Sequence, residues 1–180
     1  MKKIILLLFA VFFSFSVFAE EKKSEVKTVD YVDLKLGGGK WYEIARVARG
    51  HEEGLVGVTA SYIILPDGNI KIVNTAYENT LDGRFKIITG KAKIIDKKTN
   101  AKIRASYRWP FWGNYGVLEV GKNYDYVVIG NLNRKSLWVV SRKPQMNEKL
   151  YEEILKRAEK QGYDITKLEK PPQKAEKEKK

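Results

Sequence analysis

The stretch Gly39-Lys40-Trp41-Tyr42-Glu43-Ile44-Ala45-Arg46 decides the fold, together with Leu137-Trp138-Val139-Val140-Ser141-Arg142 some hundred residues on. Outward from the first stretch the chain is a series of short runs rich in β-branched and aromatic residues. Turn signals break it roughly every 8–12 residues, the texture of a β-sandwich or β-barrel. Eight strands are predicted: Trp41–Arg49, Val58–Leu65, Ile70–Tyr77, Phe85–Ile95, Lys102–Tyr107, Tyr115–Val120, Tyr124–Gly130 and Ser136–Arg142.

The connections are of two kinds. Pro66-Asp67-Gly68-Asn69, residues 96–100 and Gly121-Lys122-Asn123 are compact turns rich in Gly, Asn and Asp, which tolerate positive φ. Residues 50–57, 78–84, 108–114 and 131–135 are longer. In an up-and-down meander alternate loops share an end. The long ones therefore gather opposite Trp41, giving one plugged end and one mouth. After the last strand, Asn147 can cap a helix whose Leu150, Ile154, Leu155 and Ala158 fall on one face, and Gly162 ends it.

A glycine two residues before a tryptophan at the start of a first strand, with an arginine closing the last, resembles the signature of the lipocalin family. The likeness extends over about residues 31–168. Val58-Thr59-Ala60-Ser61-Tyr62, Pro110-Phe111-Trp112-Gly113-Asn114-Tyr115 and Trp138-Val139-Val140-Ser141-Arg142-Lys143-Pro144 are similar to the bacterial outer-membrane-lipoprotein and apolipoprotein D branches. The resemblance implies an all-β fold: an eight-stranded antiparallel up-and-down barrel with one C-terminal helix. Gly39, Trp41, Tyr124 and Arg142 would be its structural signature, with Arg142 lying across the Trp41 ring at the barrel base. The family's second motif, Thr-Asp-x-Tyr, is reduced here to Lys122-Asn123-Tyr124, which keeps only the aromatic position.

Residues 1–19 read as an export signal. Lys2 and Lys3 precede an apolar run from Ile4 to Phe18, and Val17-Phe18-Ala19 offers a small-x-small cleavage site. That run is too short to span a bilayer. Residues 20–30 are expected as a flexible leader, 31–168 as the folded domain and 169–180 as a charged tail. The sequence holds no cysteine, which excludes disulfides, thiol catalysis and the lipid anchor of related bacterial proteins. The expected location is a periplasm or the exterior. The net charge of +12 includes two signal lysines and the six Lys against three Glu of residues 167–180. No nucleic-acid motif accompanies it, so solubility or attraction to anionic lipid is the expected meaning.

Side chains of barrel strands alternate between lumen and solvent. Matching to the family's pocket turns Ala60, Tyr62, Ile72, Asn74, Ile88, Ala92, Ile103, Ala105, Tyr107, Val117, Val128, Trp138 and Val140 inward. Small residues would leave space, and Tyr62, Tyr107 and Trp138 would line an apolar slot. The expected function is carriage of an elongated hydrophobic ligand, a fatty acid or lysophospholipid, with envelope lipid storage, transport or repair as the implied role.

Two other readings stand beside it. A cup enzyme could use Glu119 or Tyr107 as acid or base, although Glu119 on an inward register also suits a bulged strand. An interaction module could use Trp109, Phe111 and Trp112 on a mouth loop to meet a membrane or a second copy. The sole histidine, His51, sits beside Glu52 and Glu53 in a loop, without the convergence a metal site or Ser-His pair needs. No catalytic residue, metal or cofactor is expected.

Overall fold

The computed structural model describes residues 24–47, 50 and 52–175. The expected export signal, His51 and the end of the tail lie outside the described residues.

The eight strands form one closed antiparallel meander: β1 (Gly39–Val47), β2 (Leu55–Ile64), β3 (Ile70–Glu78), β4 (Phe85–Ile94), β5 (Lys102–Arg108), β6 (Phe111–Val120), β7 (Tyr126–Asn131) and β8 (Leu137–Ser141). Each pairs with the next, and β1 closes the ring by pairing with both β2 and β8. A short helix α1 (Leu34–Gly37), capped by the Asp33 side chain, lies under the base. The helix α2 (Glu148–Lys160) packs on the outer wall through Tyr151, Ile154 and Ala158. Its first turn is capped by Asn147, whose carbonyl Oδ1 accepts from the Leu150 N–H.

Three departures from the sequence reading change where side chains point. Residues 108–114 form a tight hairpin rather than a long connection, because β5 runs to Arg108 and β6 begins at Phe111. The aromatic residues there extend a strand, and Trp109-Pro110 makes the turn. Next, β1 and β6 carry bulges, between Glu43 and Ala45 and between Val117 and Glu119. A bulge inserts one residue and shifts the alternation beyond it. Finally, strand seven begins at Tyr126 rather than Tyr124, which takes a left-handed conformation in the turn (φ 53°).

The folded domain also reaches further at both ends. Val26, expected in a flexible leader, is buried against Leu118 and Ile154. The Val29 N–H donates to the Val117 carbonyl at 2.9 Å and the Val32 N–H to Thr99 at 2.7 Å. At the other end, β1 parts from β2 beyond Tyr42, and the freed edge is taken by β9 (Leu168–Glu169). Residues 169–174 were expected in the tail, yet they close the gap. Gln173 Nε2 donates to the carbonyls of Glu43 (2.7 Å) and Val58 (2.9 Å), and the Gly57 N–H donates to Pro172 (2.8 Å). Lys174 Nζ stands 3.8 Å over the Tyr77 ring. Unpaired strand edges need partners, and this segment supplies them.

Candidate ligand cup

The base is sealed by one constellation. Trp41 is 1% exposed, and its Nε1 donates to the Gly37 carbonyl at 3.0 Å. The Arg142 guanidinium lies 3.5 Å from the Trp41 ring centroid. It also donates to the carbonyls of Leu36 (2.5 Å), Lys40 (2.7 Å) and Gly38 (2.8 Å), tying β8 to the chain entering β1. Gly39 has φ +80°, a conformation glycine adopts without strain, and a Cβ there would stand 3.5 Å from the guanidinium. Tyr124 completes the floor: its hydroxyl accepts from the Asp33 N–H at 2.7 Å.

Above the floor the lumen is apolar. Val32, Leu34, Ile70, Val117, Val127 and Val140 surround a cavity that reaches Trp41 and Tyr124. Tyr62, Ile103, Ile129 and Val140 border this cavity and also the one above it, so the two adjoin as one elongated cup.

The upper half is different. Glu43, Glu52, Asn74 and Tyr107 enter the wall beside Tyr115 and Trp138, whose rings lie 5.7 Å apart. Asn74 Nδ2 donates to the Tyr107 hydroxyl at 3.2 Å, and Trp138 Nε1 to Glu52 at 3.4 Å. Gly90 leaves room for the Tyr107 ring, which a Cβ there would meet at 2.7 Å.

Arg46 lies deepest among these polar groups, at 2% exposure. It donates to Glu43 Oε1 (2.6 Å) and to the carbonyls of Glu52 (2.8 Å) and Leu55 (2.9 Å), and it pairs with Glu169 at 2.7 Å. Burial pushes the Glu43 carboxyl up to about 7, outweighing the attraction of Arg46.

A family model for a lipocalin-like domain matches residues 32–173. The chain belongs to the lipocalin family. It is 34% identical over 143 residues to the outer membrane lipoprotein Blc of Escherichia coli K12, covering 79% of this chain and 80% of that one. Temperature-induced lipocalin-1 of Arabidopsis thaliana is 34% identical over 161 residues, covering 84% and 85%. Bovine apolipoprotein D is 28% identical over 119 residues, covering 60% of this chain and 59% of that one. Among solved structures, insecticyanin from the tobacco hornworm Manduca sexta superposes with a TM-score of 0.65 at 18% identity, covering 84% and 86%.

In this lipocalin all but two of the residues matched to the family pocket line the cup. Ala92 is fully buried beside Ile70, Ile72 and Ala105 without bordering the cavities. Val128 is a correction. It points to the outer wall and packs with Ile154 and Tyr151, while its neighbours Val127 and Ile129 face the lumen. β7 is regular, so Val128 alternates with the inward Val127 and Ile129, and it stands opposite the outward Glu119.

Glu119 is corrected by the bulge in β6. It lies outside the cup, held by Arg157 through two hydrogen bonds of 2.7 and 2.9 Å, and it accepts from the Tyr126 hydroxyl at 2.5 Å. Burial and that bond to the carboxylate push the Tyr126 hydroxyl up to about 12. Glu119 thus fastens α2 to the barrel.

The aromatic trio separates too. Trp109 and Phe111 are 76% and 68% exposed at the mouth hairpin. Trp112 instead lies on the outer face of β6 near Lys91 and Arg104, 5.5 and 5.6 Å from its ring centroid.

The set matched to the family pocket left out Ile70, Tyr115, Val127 and Ile129, and above all the Glu43–Arg46 pair. Opposite charges three apart, flanking the apolar Ile44-Ala45, were the available signal. Only the bulge between them turns both inward.

Proposed function

We propose that this lipocalin is an exported carrier of an elongated amphiphile, of the fatty acid or lysophospholipid kind, serving envelope lipid storage, transport or repair. The observation that carries the reading is the gradient along the cup. An apolar tail fits the lower half above Trp41, and a polar head fits among Asn74, Tyr107 and Glu52 toward the mouth. Apolar walls with a few convergent polar groups are the usual make-up of a small-molecule site. Related proteins named as outer membrane lipoproteins, and an apolar N-terminal run ending in Val17-Phe18-Ala19, support a place in the envelope or outside the cell.

The carrier reading is preferred to the enzyme reading because Glu119 is committed to Arg157 on the outer wall, and burial raises the Tyr107 hydroxyl well above the usual tyrosine range, away from acid–base work near neutral pH. Trp138→Ala tests carriage. It should weaken binding of a fluorescent fatty acid by about tenfold, as expected for loss of a large buried ring contact, with the fold retained. Unchanged affinity would remove Trp138 from the site.

A specific observation favours membrane contact at the mouth. Exposed Trp109, Phe111, Phe85 and Ile87 accompany Arg84 and Arg108 at that end, a combination suited to an anionic lipid interface. The double variant Trp109→Ser/Phe111→Ser should lose co-sedimentation with phosphatidylglycerol vesicles. A loss of self-association instead would assign the patch to a second copy, and no change in either would assign it to neither.

A further inference from the structure

The outer wall opposite α2 carries an unbalanced charge. β4 and β5 hold six Lys and Arg between them and no acidic residue, whereas α2 holds four residues of each sign. On the α2 side Arg157 pairs with Glu119 and Lys170 with Glu148. On the opposite wall Lys86 and Lys102 pair with Glu78 and Glu25. Lys71, Lys91, Lys93 and Arg104 are exposed, and among the described residues none of them forms an ion pair. Asp67, in the turn before β3, feels the charge of Lys93 without pairing with it.

The strand register makes this cluster costly. Lys71 stands directly opposite Lys91, and Lys93 directly opposite Arg104. Like charges so placed repel and destabilise a sheet. Lys91 and Arg104 also flank one indole, at 5.5 and 5.6 Å from the Trp112 ring centroid. An anionic surface would answer charges that the protein leaves unanswered.

β4 indicates the kind of surface. Ile88 lines the cup, so Phe85, Ile87, Thr89, Lys91 and Lys93 share the outer face, apolar at the mouth and cationic further down. At a rise of about 3.3 Å per residue, Lys91 lies roughly 13 Å along the strand from Ile87. Apolar side chains beside cations suit a lipid interface, where acyl chains begin just beneath the phosphates. A nucleic acid would leave the exposed Phe85, Ile87, Trp109 and Phe111 without an apolar partner.

We infer that the outer face of β3 to β6, from the Trp109–Phe111 hairpin down to Lys71, Lys93 and Arg104, is a docking surface for a phosphate-bearing anionic membrane, against which the barrel lies on its side rather than on its rim. The inference rests on the membrane reading of the mouth and is independent of what the cup carries.

The test uses the full chain with vesicles of phosphatidylcholine, alone or mixed with phosphatidylglycerol. The triple variant Lys71→Gln/Lys91→Gln/Lys93→Gln should weaken partition onto the anionic vesicles by at least about tenfold, since each cation near such a surface contributes severalfold. Its melting temperature should hold or rise, because two repelling pairs are relieved. The sequence has no cysteine, so single labels report orientation. A nitrobenzoxadiazole dye on Thr89→Cys should shift to the blue on anionic vesicles, and the same dye on Lys156→Cys of α2 should not. Equal binding to neutral vesicles would overturn the inference, as would a blue shift at both labelled positions or at neither. Full binding by the triple variant, with Trp109→Ser/Phe111→Ser still defective, would overturn it and leave an end-on contact at the mouth. Absence of binding to either vesicle would remove the membrane reading as well.

Discussion

The two ends of the barrel are built on opposite principles. At the base, one aromatic ring, one guanidinium and three carbonyls satisfy each other almost completely, and the strands keep their pairing. At the mouth, β1 parts from β2, a bulge turns two charges inward, and buried polar atoms stay without partners. Completeness at one end gives stability, and incompleteness at the other leaves work for a ligand. In the proposed carrier, stability and recognition fall to different halves of one sheet.

The contrast can be broken at either end. Trp41→Ala should have the largest effect, about 3–5 kcal/mol from the cavity left in the base core, read from the denaturant midpoint. A loss below about 1 kcal/mol would mean the base does not carry the fold. Arg46→Ala comes next, at about 3 kcal/mol at pH 8, since it strands a buried carboxylate. The loss should shrink at pH 5, where Glu43 takes a proton. A pH-independent loss would show that packing, not charge, is what Arg46 supplies. Arg142→Ala should cost about 1–3 kcal/mol, combining a lost stacked cation with carbonyls left unpaired. An unchanged melting point would deny the staple.

The smallest effect concerns Glu43 alone. Its folded-state pKa is raised from 4.5 to about 7, so the native state holds the proton more tightly than the unfolded chain. The stability this contributes is complete below about 4.5 and is lost as pH rises through 7. The melting temperature should fall by a few degrees between pH 5 and 8, and Glu43→Gln should flatten that slope. A slope unchanged in the variant would assign the titration to another group.

The base was legible in the sequence because its parts are local or terminal. Gly39 and Trp41 share one turn of chain, and Arg142 stands at the end of the last strand. Most of the cup was legible as well, because alternation survives wherever strands are regular, as in β3 and β5. It failed where a residue is inserted. The bulge at Val117/Glu119 sent Glu119 to Arg157, and the bulge at Glu43/Ala45 brought Arg46 into the lumen. Alternation has no symbol for an extra residue. Val128 was misplaced for a different reason, because β7 is apolar on both faces and alternation there carries no signal. The closing segment at Pro172 and Gln173 was hidden for another reason. Its composition is that of a solvated tail, and only the splayed edges of β1 and β2 give it a place.

The most direct test of the central claim is native mass spectrometry of the protein purified from the exported fraction, followed by organic extraction. A single co-purified amphiphile at near-unit occupancy, released with loss of its mass from the complex, is the predicted result. An empty protein that also fails to take up fluorescent lipids would contradict the account, and would leave the barrel as a filled scaffold for its aromatic mouth.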